Sequence, residues 1–390
     1  MYDITTLRQN EFPVSHNYIY FNHAGISPLP IRTRDKVQWA VAELAAQPGD
    51  LWLNHGLPAM ETFRRDLATL INAADPQEVV PATTTSFALN SFAQSVAWQP
   101  GDNVLFCEVE FPSNAYPWMS LERDGVEVRQ VPASVGGLTL PALEPLVDER
   151  TRLIAASAIQ FFSGHRTDLA TIGAFCRERG ILFVVDAIQA IGHMAFDVKA
   201  MNIDVLASGG QKSLMAVPGI GFMYIRAPIC QTLKPRFVGG NATVDYMHWL
   251  DYDMTFLPGA QRFAIGTPNL PGIFSVCASL SLLRELGVDN IDRHTSRLAA
   301  QAIDVLSGRG YEVITSRQAH GPIVTFKSGL SHQATDALVE QLQQRRVTLV
   351  KHLDAAGTPH VRLSFHCYNT TEEIEQFMQI LDEARSEIGD

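Results

Sequence analysis

No stretch of this sequence is apolar for the roughly 18 to 20 residues that a membrane-spanning helix needs, and its first residues, MYDITTLRQNEFPVSHNYIY, lack a basic segment followed by an apolar one. A transmembrane or exported protein is therefore not expected, and the reading is a soluble, cytoplasmic one. Cysteine is scarce: Cys107, Cys176, Cys230, Cys277 and Cys367 are odd in number, far apart, and form neither a CxxC pair nor a His/Cys cluster at zinc spacing. A disulfide framework and a structural metal site are both excluded as expectations. Basic runs are missing too, with 30 Lys and Arg against 41 Asp and Glu and a formal net charge of -11. Binding to a phosphate backbone or an anionic membrane draws on clustered cations, so no nucleic acid and no membrane partner is expected. Repeats and low-complexity tracts are also lacking.

What is present is an ordinary globular balance over 390 residues, 46% hydrophobic and 18% charged. A chain of this length can bury roughly three quarters of its unfolded surface. Short apolar runs alternate with helical stretches: strands are expected at Asn103 to Cys107, Arg152 to Ser157, Ile181 to Asp186, Asp204 to Ser208 and Gly221 to Ile225. Being apolar throughout, they read as strands buried on both faces of a parallel sheet, which predicts an α/β fold. Ser113 to Arg123 and Leu169 to Arg179 supply crossover helices. After about residue 285 helices dominate, the clearest being Ser331 to Arg345 and Thr371 to Ile388. The second opens with a capping box, Thr370 to Glu373, ahead of Ile374, Phe377, Met378 and Leu381 at helical spacing. A large domain over 17–286 and a small α+β domain built from 1–16 and 287–390 are expected.

Chemistry concentrates in ILFVVDAIQAIGHMAFDVKAMNIDVLASGGQKSLMAVPGIGFMYIR, Ile181 to Arg226. Asp186 closes a buried strand, Gln189 follows three residues later, and Lys212 comes after a Ser-Gly-Gly-Gln turn. An acid able to keep a pyridine nitrogen protonated and an amine able to form a Schiff base suit pyridoxal 5'-phosphate (PLP), with Lys212 also the base at Cα. Taken singly, a strand-terminal Asp is often a helix cap and a Lys a solvated charge. The Gly-Gly-Gln-Lys-Ser run is not a nucleotide-binding P-loop, because Gln211 and Leu206 stand where that motif requires Gly.

These residues resemble the class V aminotransferases of PLP fold type I, a family that includes cysteine desulfurases, cystine C-S lyases, kynureninases and isopenicillin epimerase-like proteins. The likeness covers almost the whole chain and implies that family's large domain, a mainly parallel sheet flanked by helices. It implies that Gln189 contacts the cofactor's phenolic oxygen. Either Ser208 or Gln211 would reach its phosphate, since an extra Gly separates the serine from the lysine here. In VVPATTTSFALN, Thr84 and Thr85 would contact the phosphate at a helix N-terminus, the alternative being simple capping. Phe111 in EVEFPSNAYPW would stack on the ring where desulfurases carry His, or else be a core aromatic. Gln160 would be a polar contact near cofactor or substrate. Gly266-Thr267-Pro268-Asn269 matches a segment that family members insert into a neighbouring subunit, so Thr267 implies a homodimer; a plain turn is the alternative. Arg362 would clamp the substrate α-carboxylate, rather than form a surface ion pair. Asn22, His23 and Ala24 would line the substrate mouth.

One departure bears on the reaction. Desulfurases attack sulfur with a Cys on a mobile loop shortly before the carboxylate-binding Arg, and the interval Val347 to Val361 holds none. Cys367 comes after Arg362 and reads as a small buried side chain. The expectation is a PLP enzyme acting at Cα of a small amino acid, as aminotransferase or cysteine/cystine C-S lyase. A desulfurase, an epimerase and a non-catalytic PLP-binding protein stand as alternatives.

Overall fold

The computed structural model describes residues 2–244, 247–248 and 250–388; Met1, Gly389 and Asp390 of the expected small domain lie outside the described residues. Among the described residues twelve strands follow in chain order: β1 (Ile19–Tyr20), β2 (Val79–Ala82), β3 (Asn103–Cys107), β4 (Glu127–Val131), β5 (Thr151–Ser157), β6 (Leu182–Asp186), β7 (Val205–Gly209), β8 (Gly221–Ile225), β9 (Ile323–Lys327), β10 (Val347–Thr348), β11 (Val350–Leu353) and β12 (Pro359–Ser364). Seven form one sheet in the order β2-β8-β7-β6-β5-β3-β4. The five from β7 to β4 are parallel.

Successive residues in this sheet feed opposite cores, as strand geometry requires. Leu105, Ile154, Val185 and Leu206 face one core, shared with the helices Leu169–Arg179 and Leu270–Leu286. Phe106, Ala155, Val184 and Val205 face the other, shared with the helix Thr85–Ala93. Both sides are covered, so the strands are apolar throughout.

Two expectations are corrected here. The run Gly221 to Ile225 is a strand, but β8 runs antiparallel to both β2 and β7. Full burial on both faces gives the same apolar pattern whichever way a strand points. Ser113 to Arg123 is not one helix: a 3₁₀ turn at Pro112–Asn114, a single helical turn at Tyr116–Met119 and a second 3₁₀ turn at Ser120–Asp124 replace it. Pro112 and Pro117 lack the N–H that a continuous helix would use, and Gly125 ends the run in the left-handed region.

The later part of the chain forms an antiparallel sheet, β11-β12-β9. Val324, Phe326, Val361 and Leu363 on one face share a core with the helices Val288–Gly308, His332–Gln344 and Thr371–Ile388. His360, Arg362 and Ser364, being alternate residues, occupy the other face. The capping box at Thr370 forms: Thr370 N–H donates to Glu373, and Glu373 N–H donates to the Thr370 hydroxyl at 3.3 Å. The first residues fold back onto this region, with Tyr2 Oη donating to the Cys367 carbonyl and Arg8 paired with Glu373 at 2.7 Å. β1 pairs in parallel with β10.

Candidate active site

Open α/β sheets place ligands beyond the carboxyl ends of their parallel strands, and most of the expected residues sit there. Phe111 follows β3, Gln160 follows β5, Asp186 ends β6 with Gln189 in the next turn, and Ser208, Gln211 and Lys212 close β7 and its turn. The small sheet supplies Arg362 from β12, and Asn22, His23 and Ala24 follow β1.

Asp186 is buried and accepts one hydrogen bond, from Ile188 N–H at 3.0 Å. Burial pushes its carboxyl up to about 6, against that hydrogen bond and the nearby Lys212 cation. For Lys212 the signs reverse: burial takes the amine down to about 8, with Arg362 adding repulsion and Asp186 opposing it. Lys212 Nζ lies 5.1 Å from the centre of the Phe111 ring, which meets Phe161 edge-on at 5.0 Å. The lysine turn is stapled from several sides. Ser213 Oγ donates to the Ile188 carbonyl at 2.7 Å, and His366 Nε2 donates to the Ser213 carbonyl at 3.0 Å. Cys367 N–H donates to Nδ1 of the same imidazole, which fixes its tautomer. Met215, buried, holds φ of 52°, a strained conformation inside the turn that presents the amine.

Gln189 donates to the Ala24 carbonyl at 3.0 Å, while Ala24 N–H donates to Ser364 at 2.8 Å. The 22–24 segment is thereby tied to both sheets. His23 is buried with Nδ1 2.9 Å from Ser27 Oγ and with Nε2 unbonded; the Asn22 Oδ1 is unbonded too.

Thr84 caps the helix Thr85–Ala93 by accepting from Phe87 N–H at 3.0 Å, so the capping reading of this residue holds, and its hydroxyl proton stays free to donate. Thr85 accepts from Gly209 N–H at 2.8 Å, which draws the helix N-terminus to the end of β7. A Cβ on Gly209 would stand 2.6 Å from Gln211 Oε1 and 3.4 Å from Thr85 Oγ1. A side chain there would displace the Gln211 amide and press on Ile188 Cδ1, 3.1 Å from the same point. Ser208 spends its hydroxyl on the Gly209 carbonyl.

The Gln160 amide is largely engaged by backbone: its nitrogen donates to the Val109 carbonyl and its oxygen accepts from Phe162 N–H at 2.6 Å. It holds the loop that carries Phe161. Thr267 is exposed and shares no hydrogen bond with the other candidates among the described residues.

Arg362 is 3% exposed, and among the described residues its one hydrogen bond goes from Nη1 to the Phe161 carbonyl at 2.9 Å. Its Nε has no partner. Burial lowers the guanidinium to about 10. Among the described residues none of Asp186, Lys212 and Arg362 forms an ion pair, although buried charges are normally paired. Three such groups, two from the large sheet and one from the small and close enough for Asp186 and Arg362 both to act on Lys212, suit a ligand carrying a basic ring nitrogen, a carbonyl for the amine and a carboxylate. The residues present fit PLP and an amino acid.

Two further side chains escaped the sequence reading. Glu110 accepts from Ser157 N–H at 2.8 Å and from its hydroxyl at 2.5 Å, and Ser157 is the register partner of Asp186. Burial, with a smaller contribution from Asp186, raises Glu110 to about 7. His352 on β11 is the other. For Glu110 the available signal was an acid just beyond a strand end; His352 offered none, because its place follows from the β11–β12 register. Among the described residues no group of three or more His, Cys, Asp or Glu could hold a metal ion.

Comparison with known proteins agrees with this geometry. A family model for class V aminotransferases matches residues 19–377. The chain is 29% identical to a probable cysteine desulfurase of Methanothermobacter thermautotrophicus over 96% of each chain. It is 31% identical to a cysteine desulfurase of Pectobacterium atrosepticum over 85% of this chain and 83% of the other. Among solved structures, the apo cysteine desulfurase of Thermococcus onnurineus NA1 superposes with a TM-score of 0.87 at 24% identity, covering 99% of both chains. A cystine C-S lyase in complex with its product, cysteine persulfide, gives 0.87 at 22% identity over 95% of this chain and 99% of the other. At these identities the structural likeness speaks to the fold.

Proposed function

Because the chain belongs to the class V aminotransferase family, a family of PLP-dependent enzymes, we propose that it acts at Cα of a small amino acid, as an aminotransferase or a cysteine/cystine C-S lyase. The observation that carries the reading is the buried, acid-free Arg362 guanidinium, near enough to Lys212 to lower its amine while Asp186 raises it. A planar cation held dry and without a counter-ion takes a carboxylate in bidentate fashion.

Bound PLP supplies the electron sink for the pair released at Cα. Asp186 holds the ring nitrogen's proton, and Gln189 and Phe111 contact the ring. Thr84, Thr85 and the Gly209 cradle take the phosphate, with Ser208 or Gln211 beside them. Lys212 anchors the cofactor and moves the Cα proton. Arg362 orients the carboxylate, and Asn22, His23 and Ala24 border the mouth.

Desulfuration is the second reading, favoured by the names of the relatives. Against it, no cysteine stands between Val347 and Val361, and Cys367 is fully buried with its thiol pushed up by burial. A thiol in that state is a weak nucleophile.

Thr267 would reach the neighbouring site of a homodimer. Support comes from its exposure and from exposed apolar side chains on the preceding segment, among them Phe237, Met247, Leu250, Tyr252 and Met254. A cytoplasmic setting fits five free cysteines, and among the described residues no single helix is long and apolar enough to cross a membrane.

The test is a stoichiometric incubation of holoenzyme with L-alanine, L-cysteine or L-cystine without keto acid, followed by analysis of bound cofactor. Pyridoxamine phosphate means transamination. Unchanged PLP with pyruvate released means C-S lysis, and alanine released means desulfuration. Inertness across the panel would overturn the reading.

A further inference from the structure

Register places His352 on the same face of the small sheet as Arg362. Val350 stands opposite Arg362 and His352 opposite His360, so His352 lies one diagonal step from the guanidinium. Such neighbours are about 7 to 8 Å apart, within reach of one small ligand. Two groups on this face are buried without a hydrogen-bond partner, His352 Nε2 and Arg362 Nε. Both border Phe161: its carbonyl takes Arg362 Nη1, and its ring meets His352 edge-on at 5.8 Å. Phe162 closes the other side of the imidazole at 6.2 Å. Orphaned polar atoms sharing one dry wall call for a ligand that satisfies them together.

The hairpin holds His352 in place. Asp354 accepts from Ala356 N–H at 2.9 Å and Thr358 N–H at 2.8 Å, and Gly357 takes the left-handed conformation that closes the turn. Lys351 is tied to Asp336 on the helix His332–Gln344. This ordered hairpin occupies the interval where desulfurases were expected to carry a mobile cysteine loop.

We propose that His352 reads the substrate's side chain and selects one with a hydrogen-bond-accepting group at Cβ or Cγ. The inference rests on Arg362 as the α-carboxylate clamp. Burial, then Arg362 and Lys212, push the imidazole down to about 4, so it is neutral near pH 7. A neutral ring leaves the α-carboxylate to Arg362 and offers an N–H to a second acceptor, which the two cations also favour.

Amino acids without a Cα hydrogen bind but cannot lose that proton, so affinity is read apart from turnover. Holoenzyme is titrated calorimetrically with 2-aminoisobutyrate, α-methylserine and α-methylaspartate, as wild type, His352→Phe and His352→Gln. Wild type should prefer at least one of the two acceptor-bearing ligands by about tenfold. His352→Phe should cut the preference below about threefold, and His352→Gln, which keeps an N–H, should retain most of it. Equal preference in wild type and His352→Phe overturns the inference, as does no preference in wild type. Failure of wild type to bind any of the three overturns the carboxylate clamp, and this inference with it.

Discussion

Arg362 costs the free protein stability and returns it only when an anion arrives. Its guanidinium is desolvated for one carbonyl hydrogen bond, and isolated buried charge is unfavourable. Arg362→Met should therefore melt at or above the wild-type temperature, while KM rises by roughly 30-fold or more. Differential scanning calorimetry beside steady-state kinetics checks both; a melting point several degrees lower would mean a structural role. Lys212 gives a pH prediction. Its amine must be neutral to condense with the cofactor aldehyde, and its value of about 8 lies below the ordinary one of 10.5. Below pH 8 the ammonium dominates, so the rate at which apoprotein takes up PLP should climb as pH rises through about 8 and then level. Since Arg362 lowers this value and Asp186 raises it, Arg362→Met should move the inflection up and Asp186→Asn down. Stopped-flow absorbance across pH reads all three proteins. That Asp186, Gln189 and Lys212 gather at one strand end and one neighbouring turn was legible in the sequence, because they follow two adjacent apolar strands at short, fixed distances. His352 and Glu110 were not, because what makes them significant is register between strands far apart in the chain.

At the scale of elements, apolar runs revealed each strand of the large sheet that they were asked to, yet not the direction of β8. The helix Thr371–Ile388 was readable down to its cap, whereas Ser113 to Arg123 breaks into short turns around Pro112 and Pro117 instead of forming the expected helix. The β11–β12 hairpin was invisible: β11 is short and half-buried without alternation, and β12 is buried on both faces. Its turn depends on Asp354. Asp354→Ala should remove the two hydrogen bonds its carboxylate accepts from Ala356 and Thr358 N–H, worth about 1 kcal/mol each, and let His352 wander while Arg362, inside β12, stays put. Amide exchange over 350–358 should quicken, with β9 unaffected; unchanged exchange would mean that strand pairing alone holds the hairpin.

For the whole molecule, the proposed shared site of a homodimer yields to mixing two inactive subunits. Lys212→Ala and Thr267→Asp subunits, each inactive alone if Thr267 approaches the partner's phosphate, are denatured together and refolded at equal concentration. Random pairing then rebuilds one intact site in half the dimers, returning about a quarter of wild-type activity. No recovery would mean that each chain completes its own site.

The contacts of Tyr2 with Cys367, Arg8 with Glu373 and β1 with β10 also set a schedule. A ribosome adding 5 to 20 residues per second leaves roughly 20 to 70 seconds between the emergence of these first residues and of their partners. Phe12 and Phe21, fully buried at the end, spend that interval bare on a growing chain. Residues 2–21 are thus made well before the partners that bury them, and their apolar side chains are open to other contacts in the meantime.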